Sequence, residues 1–105
     1  MLSEESVVKG LSVFGDITEK TAGEKGELRV FERGEKICVV VEKGTQPLRI
    51  ELRCDYKLSK LLQERYESVM ESRSLGKNGI EVICSGQLSD EELHDLIRHA
   101  YEVSA

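Results

Sequence analysis

The sequence predicts an α+β domain in which an antiparallel sheet of about five or six strands carries helices on one face. Several segments alternate apolar and polar residues with a period of two, which is typical of strands with one buried face. Others repeat apolar residues at spacings of three and four, which is typical of amphipathic helices. The segments follow the order helix, strands, helix, hairpin, helix. All 105 residues fit a single domain, residues 1–105.

The first half of the chain predicts a short helix followed by strands. Ser3 is a candidate N-cap, and Gly10 limits the helix to about two turns. A glycine-containing segment predicts a first turn at 21–26, and Gly34-Glu35 predicts a second turn between two strands. Leu48, Ile50, Leu52 and Cys54 alternate with charged residues further on. The strands are expected over residues 11–18, 27–33, 36–43 and 48–54.

The second half predicts two helices with a hairpin between them. Asp55 is expected to cap a helix, and Ser89 begins an S-x-x-E capping box for another. Asn78-Gly79 is the dipeptide that a type I′ turn prefers, which places Lys77 at the tip of a hairpin with strands over 69–75 and 80–85. The first apolar stripe is Leu58, Leu61, Leu62 and Tyr66; the second is Leu93, Leu96, Ile97, Ala100 and Tyr101.

The Gly76-Lys77 pair does not begin a phosphate-binding loop. Such a loop has the form G-x-x-x-x-G-K-[ST] between a strand and a helix. Here Glu71 occupies the position of the first glycine, Asn78 occupies the position of the hydroxyl, and a strand pattern follows. The sequence therefore predicts no nucleotide site at this pair.

Composition limits the classes of function. The net charge of −5 argues against indiscriminate nucleic-acid binding, which depends on lysine and arginine neutralising phosphates. The longest apolar run, residues 37–41, is far too short to span a membrane, and the N-terminus is acidic, so a cytoplasmic location is expected. Cys38, Cys54 and Cys84 form no CxxC pair and lie in strand-like runs, so we expect buried thiols and neither disulfides nor a metal site.

Residues 48–66 and 72–103, LRIELRCDYKLSKLLQERY and SRSLGKNGIEVICSGQLSDEELHDLIRHAYEV, resemble the second half of the MmcQ/YjbR family of small bacterial proteins. The resemblance extends over about residues 30–103. It depends on the order and spacing of Phe31, Lys36, Arg53-Cys54-Asp55, Lys77, the segment 88–93 and Ala100-Tyr101.

The resemblance implies a CyaY-like (frataxin-like) fold, no established reaction and a suggested role in DNA binding. Family members usually carry histidines and a tryptophan around the lysine hairpin, where this chain has Ser74, Gly79 and Ile80. If those aromatic groups make the contacts of the family, this chain has lost them. We therefore expect a non-enzymatic binding module whose partner is DNA, or alternatively a protein, including a second copy of the chain.

Six residues are candidates for a nucleic-acid site on an arginine-bearing sheet face and the lysine hairpin. Arg29 and Arg33, like Arg49 and Arg53, are an even number of residues apart and so point to the same side of a strand, and the ring of Phe31 between the first two could stack on a base. The alternative is that these arginines pair across strands with Glu27, Glu32 and Glu51 on a solvated face. The candidates are Arg29, Phe31, Arg33, Arg49, Arg53 and Lys77.

Metal binding and catalysis have less support in the sequence. The acids near each end, Glu4, Glu5 and those of 90–95, could ligate iron as the frataxin resemblance suggests, but helix capping and the helix dipole explain them. His94 and His99 are five residues apart, so they cannot share a metal on one helix face; ion pairs with Asp90 and Asp95 explain them. No nucleophile lies at a recognised spacing from a base, so no enzyme and no cofactor is predicted.

Overall fold

The computed structural model describes residues 2–105, and within them the predicted α+β class is confirmed. Six strands form one antiparallel sheet in the order β1-β2-β3-β4-β6-β5, and three helices accompany it. The elements are α1 Glu4–Leu11, β1 Ile17–Ala22, β2 Leu28–Arg33, β3 Lys36–Glu42, β4 Arg49–Arg53, α2 Tyr56–Arg65, β5 Val69–Ser72, β6 Gly76–Ile83 and α3 Asp90–Glu102.

All three helices begin at the residues that the sequence predicts. The side chains of Ser3, Asp55 and Ser89 each accept a hydrogen bond from a backbone N–H in the first turn of α1, α2 and α3. The predicted strand over 11–18 was wrong over most of its length, because α1 continues through Gly10 to Leu11 and β1 begins only at Ile17. Val7 and Leu11 lie four residues apart on one side of that helix and are both buried, so the core extends it.

The sheet has two faces, which we call the helix face and the open face. On the helix face, apolar side chains of β2, β3, β4 and β6 pack with those of the helices in one core. On the open face, a row of residues crosses the sheet in register, and its middle members are buried although none of the helices within residues 2–105 covers them. That row is Lys20, Val30, Val40, Glu51, Glu81 and Met70.

The predicted type I′ turn at Asn78-Gly79 was wrong. The turn between β5 and β6 consists of residues 73–75, and Gly76, with φ of 58°, provides the left-handed residue that closes it. Gly79 lies inside β6, where a Cβ atom would come within 2.8 Å of the carbonyl oxygen of Leu52. The glycine is required for this close approach of two strands, and Lys77 therefore lies in a strand and not at a hairpin tip.

Among residues 2–105, we find no helix with the length and apolar character needed to cross a membrane.

Candidate functional site

The candidate arginines do not share one surface, so the prediction of a single arginine-bearing sheet face was wrong. Strands β2 and β4 are separated by β3, and their arginines point to opposite sides of the sheet. Arg29 and Arg33 lie with Phe31 on the helix face, whereas Arg49 and Arg53 lie on the open face. Alternation shows which residues of one strand share a side, but it does not show which side receives the helices.

Phe31 belongs to the core and cannot stack on a base. Its exposed fraction is 3%, and it lies opposite Val39, which is also in the core. The neighbouring Arg29 binds two carboxylates, with Nε 2.7 Å from Glu19 and Nη1 2.9 Å from Glu4. Hydrogen bonds to Glu19 and then Glu4 raise the pKa of Arg29. This arginine joins α1 to β1 and β2, which is a structural role.

Arg33, the last residue of β2, holds the end of α3 against the sheet. Its guanidinium donates to Asp16 at 3.1 Å and to the carbonyl oxygen of Tyr101 at 2.9 Å. It also lies 3.9 Å from the centre of the Tyr101 ring, and the Phe14 ring stacks on Tyr101 with the two ring centres 3.9 Å apart. The hydrogen bond from the Tyr101 hydroxyl lowers the pKa of Asp16 and raises that of Tyr101 itself.

Replacing Asp16 by alanine is expected to lower the pKa of Tyr101 toward its ordinary value of 10.0. The folded pKa of Asp16 is depressed, so its stabilising effect is present at neutral pH and is lost as pH falls through that pKa. The raised pKa of Tyr101 acts in the opposite direction, with stabilisation lost as pH rises through it. Titration of the Tyr101 ring by carbon-13 NMR measures the change. Glu24→Ala, a matched loss of charge in the turn between β1 and β2, should leave the titration unmoved.

On the open face, two buried glutamates, Glu51 of β4 and Glu81 of β6, lie opposite each other, with Arg49 and Arg73 beside them. Glu81, whose side chain is 2% exposed, accepts from Arg73 at 2.8 Å and from Arg49 at 3.4 Å. Arg53 instead donates to the carbonyl oxygen of Ile37 at 2.7 Å. The sequence pattern does not indicate Arg73 or Glu81, because nothing local shows that an acid in β6 is buried on a face without helices.

The alternative interpretation, that the arginines pair with acids, describes three of the four sheet arginines, but with different acids from those proposed. Arg29, Arg33 and Arg49 bind Glu4, Glu19, Asp16 and Glu81 in place of Glu27, Glu32 and Glu51. The sixth candidate, Lys77, is exposed near the start of β6. These contacts leave little unpaired positive charge on the sheet for a phosphate.

The three cysteines are buried and unpaired, as the sequence predicts. Burial raises the pKa of Cys54 and Cys84 to about 11 each, and it also raises the pKa of Cys38. We expect none of these thiols to react with a thiol reagent at neutral pH in the native protein, and all to react after unfolding. A native thiol that reacts as fast as free cysteine would contradict this.

His99 connects two of the helices. The backbone N–H of Asp55, the cap of α2, donates to Nε2 of His99 at 3.2 Å, so α3 meets the start of α2. Asp95 pairs with Arg98 at 2.7 Å, and the predicted ion pair with His99 was wrong. In the part of the chain from residue 2 onward, no three His, Cys, Asp or Glu side chains come together as a metal site would require.

A groove between α2 and α3, which we call the α2–α3 groove, is one of the cavities of the helix layer, and no sequence pattern indicated it. Its volume is about 290 Å³. Beside it on α2, Leu61 is 53% exposed, although the sequence places this leucine in a buried stripe. Only the side of α2 that carries the buried residues Ser59 and Leu62 packs against the sheet. The groove is lined by Leu58, Leu62, Tyr66, Leu88, Glu92, Asp95, Leu96 and His99.

Crystal structures of bacterial proteins share this fold. Protein DR2400 of Deinococcus radiodurans, which has a DUF419 domain, matches with a TM-score of 0.87 and 21% identity over 98% of this chain and 78% of that one. A protein from Pseudomonas syringae matches with a TM-score of 0.80 and 16% identity over 99% of this chain and 100% of that one. No family model and no curated protein matches the sequence. These neighbours are uncharacterised, so the likeness defines a fold class and leaves the function unknown.

Proposed function

We propose that this chain is an MmcQ/YjbR-like binding module, without catalysis of its own, that docks a protein partner in the α2–α3 groove. The observation that carries the proposal is an apolar groove of about 290 Å³, together with the half-exposed Leu61, which is one helical turn from the groove residue Leu58 on α2. Apolar grooves between helices accept the apolar side of a partner helix. The MmcQ/YjbR assignment is supported by the sequence features of residues 30–103, and the cytoplasm is the compartment that composition favours.

Nucleic acid is the alternative partner, and the geometry supports it less. Phosphate contacts need cations that are free to neutralise them, and stacking needs an exposed ring. Arg29, Arg33 and Arg49 are paired with carboxylates, Arg53 binds a backbone carbonyl, and Phe31 is buried. A DNA site would therefore need Lys77 together with arginines that first break their present contacts with carboxylates or the backbone.

Two labelled probes separate these partners by fluorescence anisotropy. One is an amphipathic peptide of leucine and lysine, about 14 residues long, and the other is single-stranded and duplex DNA of about 20 nucleotides. We expect the peptide to bind and Leu61→Asp to weaken its binding at least about tenfold, because a charge would then border the apolar groove. Val13→Asp is the matched control, since Val13 is 76% exposed outside the groove.

Either of two results would contradict the proposal. One is DNA binding that falls steeply between about 50 and 200 mM salt while the peptide does not bind. The other is peptide binding that Leu61→Asp and Val13→Asp weaken equally, which would indicate attraction to the acidic protein as a whole.

A further inference from the structure

The helices on either side of the α2–α3 groove run in opposite directions. At one end, the N–H of Asp55, which caps α2, donates to His99 in the last turn of α3. At the other end is Glu92, in the first turn of α3, whose pKa is lowered chiefly by its hydrogen bond from Ser89 and also by the charge of Arg65 in the last turn of α2. The start of each helix is therefore level with the end of the other.

The two walls of the groove carry opposite charges. On α2, Lys57, Leu61 and Arg65 are four residues apart, so they form one ridge, and all three are exposed. On α3, Glu92 and Asp95 line the groove, and Asp95 also pairs with Arg98 of the same helix. The α2 wall is thus basic on either side of the exposed Leu61, and the α3 wall carries acidic side chains beside the groove.

From these two observations we infer that the occupant of the α2–α3 groove is a second copy of this chain, related by a two-fold axis that runs along the groove. The inference rests on the proposed docking function of that groove. Such an axis keeps each residue at its own level and sets α2 of each copy against α3 of the other. The Leu61 side chain then meets the partner's Leu96, and Arg65 meets the partner's Glu92.

In this dimer the basic ridge of each copy faces the acidic wall of the other, so the same contact occurs twice by symmetry. Its apolar centre is limited to the groove and Leu61, so the dimer belongs to the small, transient class. We expect it to form in the micromolar range and to dissociate on dilution. Rising salt should weaken it, since the charged ridge and wall lie at a solvent-exposed rim.

Sedimentation velocity over roughly 10 µM to 1 mM protein tests the dimer. The native chain should move from monomer toward dimer across this range, and Leu61→Asp should raise the dissociation constant at least about tenfold. Arg65→Glu, which places like charges at the same contact, should weaken the dimer as well. Val13→Asp should leave it unchanged. Leu61 and Arg65 are exposed, so neither substitution should affect folding, which circular dichroism would check.

A native chain that stays monomeric up to about 1 mM would overturn the dimer. The dimer would also be overturned if Leu61→Asp and Val13→Asp weakened self-association equally, because the interface would then lie outside the groove. The proposed function is tested separately. If the chain is monomeric but still binds the leucine and lysine peptide in a Leu61-dependent way, the docking groove is supported and only the second copy as its occupant is excluded. Loss of both dimer and peptide binding would remove the groove as a functional surface.

Discussion

Replacing Glu51 by alanine is expected to lower the free energy of unfolding by about 3 kcal/mol. Glu51 is 5% exposed and uses both carboxylate oxygens to hold the β5–β6 turn. One oxygen accepts from the Ser72 hydroxyl at 2.6 Å and from the Ser74 N–H at 2.8 Å, and the other accepts from the Ser74 hydroxyl at 3.1 Å. Alanine would leave these donors without their acceptor beneath the turn. Chemical denaturation measures the loss.

A second acid on the same face provides the matched control. Glu32 pairs with the exposed Lys20 at 3.1 Å, and pairs of this kind contribute little. Glu32→Ala should therefore cost about 0.5 kcal/mol. Amide hydrogen exchange adds a local test, since loss of Glu51 should speed exchange at Ser74 and Leu75. Equal losses in the two variants would contradict the assigned role of Glu51.

Gly79→Ala is expected to destabilise the sheet by about 2 kcal/mol. The added Cβ would lie 2.8 Å from the Leu52 carbonyl oxygen and 2.7 Å from Cδ1 of Leu75. The first neighbour is backbone, so the strands β4 and β6 must separate, and the effect cannot be absorbed by a rotamer change. A thermal melt compares this variant with the native chain.

Gly15→Ala is the control for Gly79, because no atom beyond its immediate chain neighbours lies within 4 Å of the added carbon. It should change stability by no more than about 0.5 kcal/mol. If Gly79→Ala were equally harmless, Gly79 would not be held in close contact with Leu52 and Leu75, and the assigned role of this glycine would be contradicted.

The features that sequence predicted correctly are local. A capping serine or aspartate acts within one helical turn, and the Gly34-Glu35 turn joins two adjacent strands, so neighbouring residues suffice to predict them. Asn78-Gly79 has an equally clear local preference, but contacts with Leu52 and Leu75 override it. Those contacts depend on which strands become neighbours, which the local pattern does not contain.

The candidate site shows the same limit on a larger scale. β2 carries apolar residues on both sides, with Val30 buried on the open face and Phe31 buried on the helix face. Alternation alone could not decide which of them meets the helices. The α2–α3 groove was missed for a related reason, since the spacing of Leu58, Leu61 and Leu62 predicts an apolar stripe but not how much of it the sheet covers.

A map of amide chemical shifts by NMR, recorded with the leucine and lysine peptide and then with DNA, tests most directly where this protein binds its partner. We predict that the peptide shifts amides around Leu58, Leu62 and Leu96, and that DNA at moderate salt shifts none of them. The contradicting result is a set of DNA-induced shifts at Arg49, Arg53 and Lys77 that fades as salt rises, with the groove amides unchanged by the peptide.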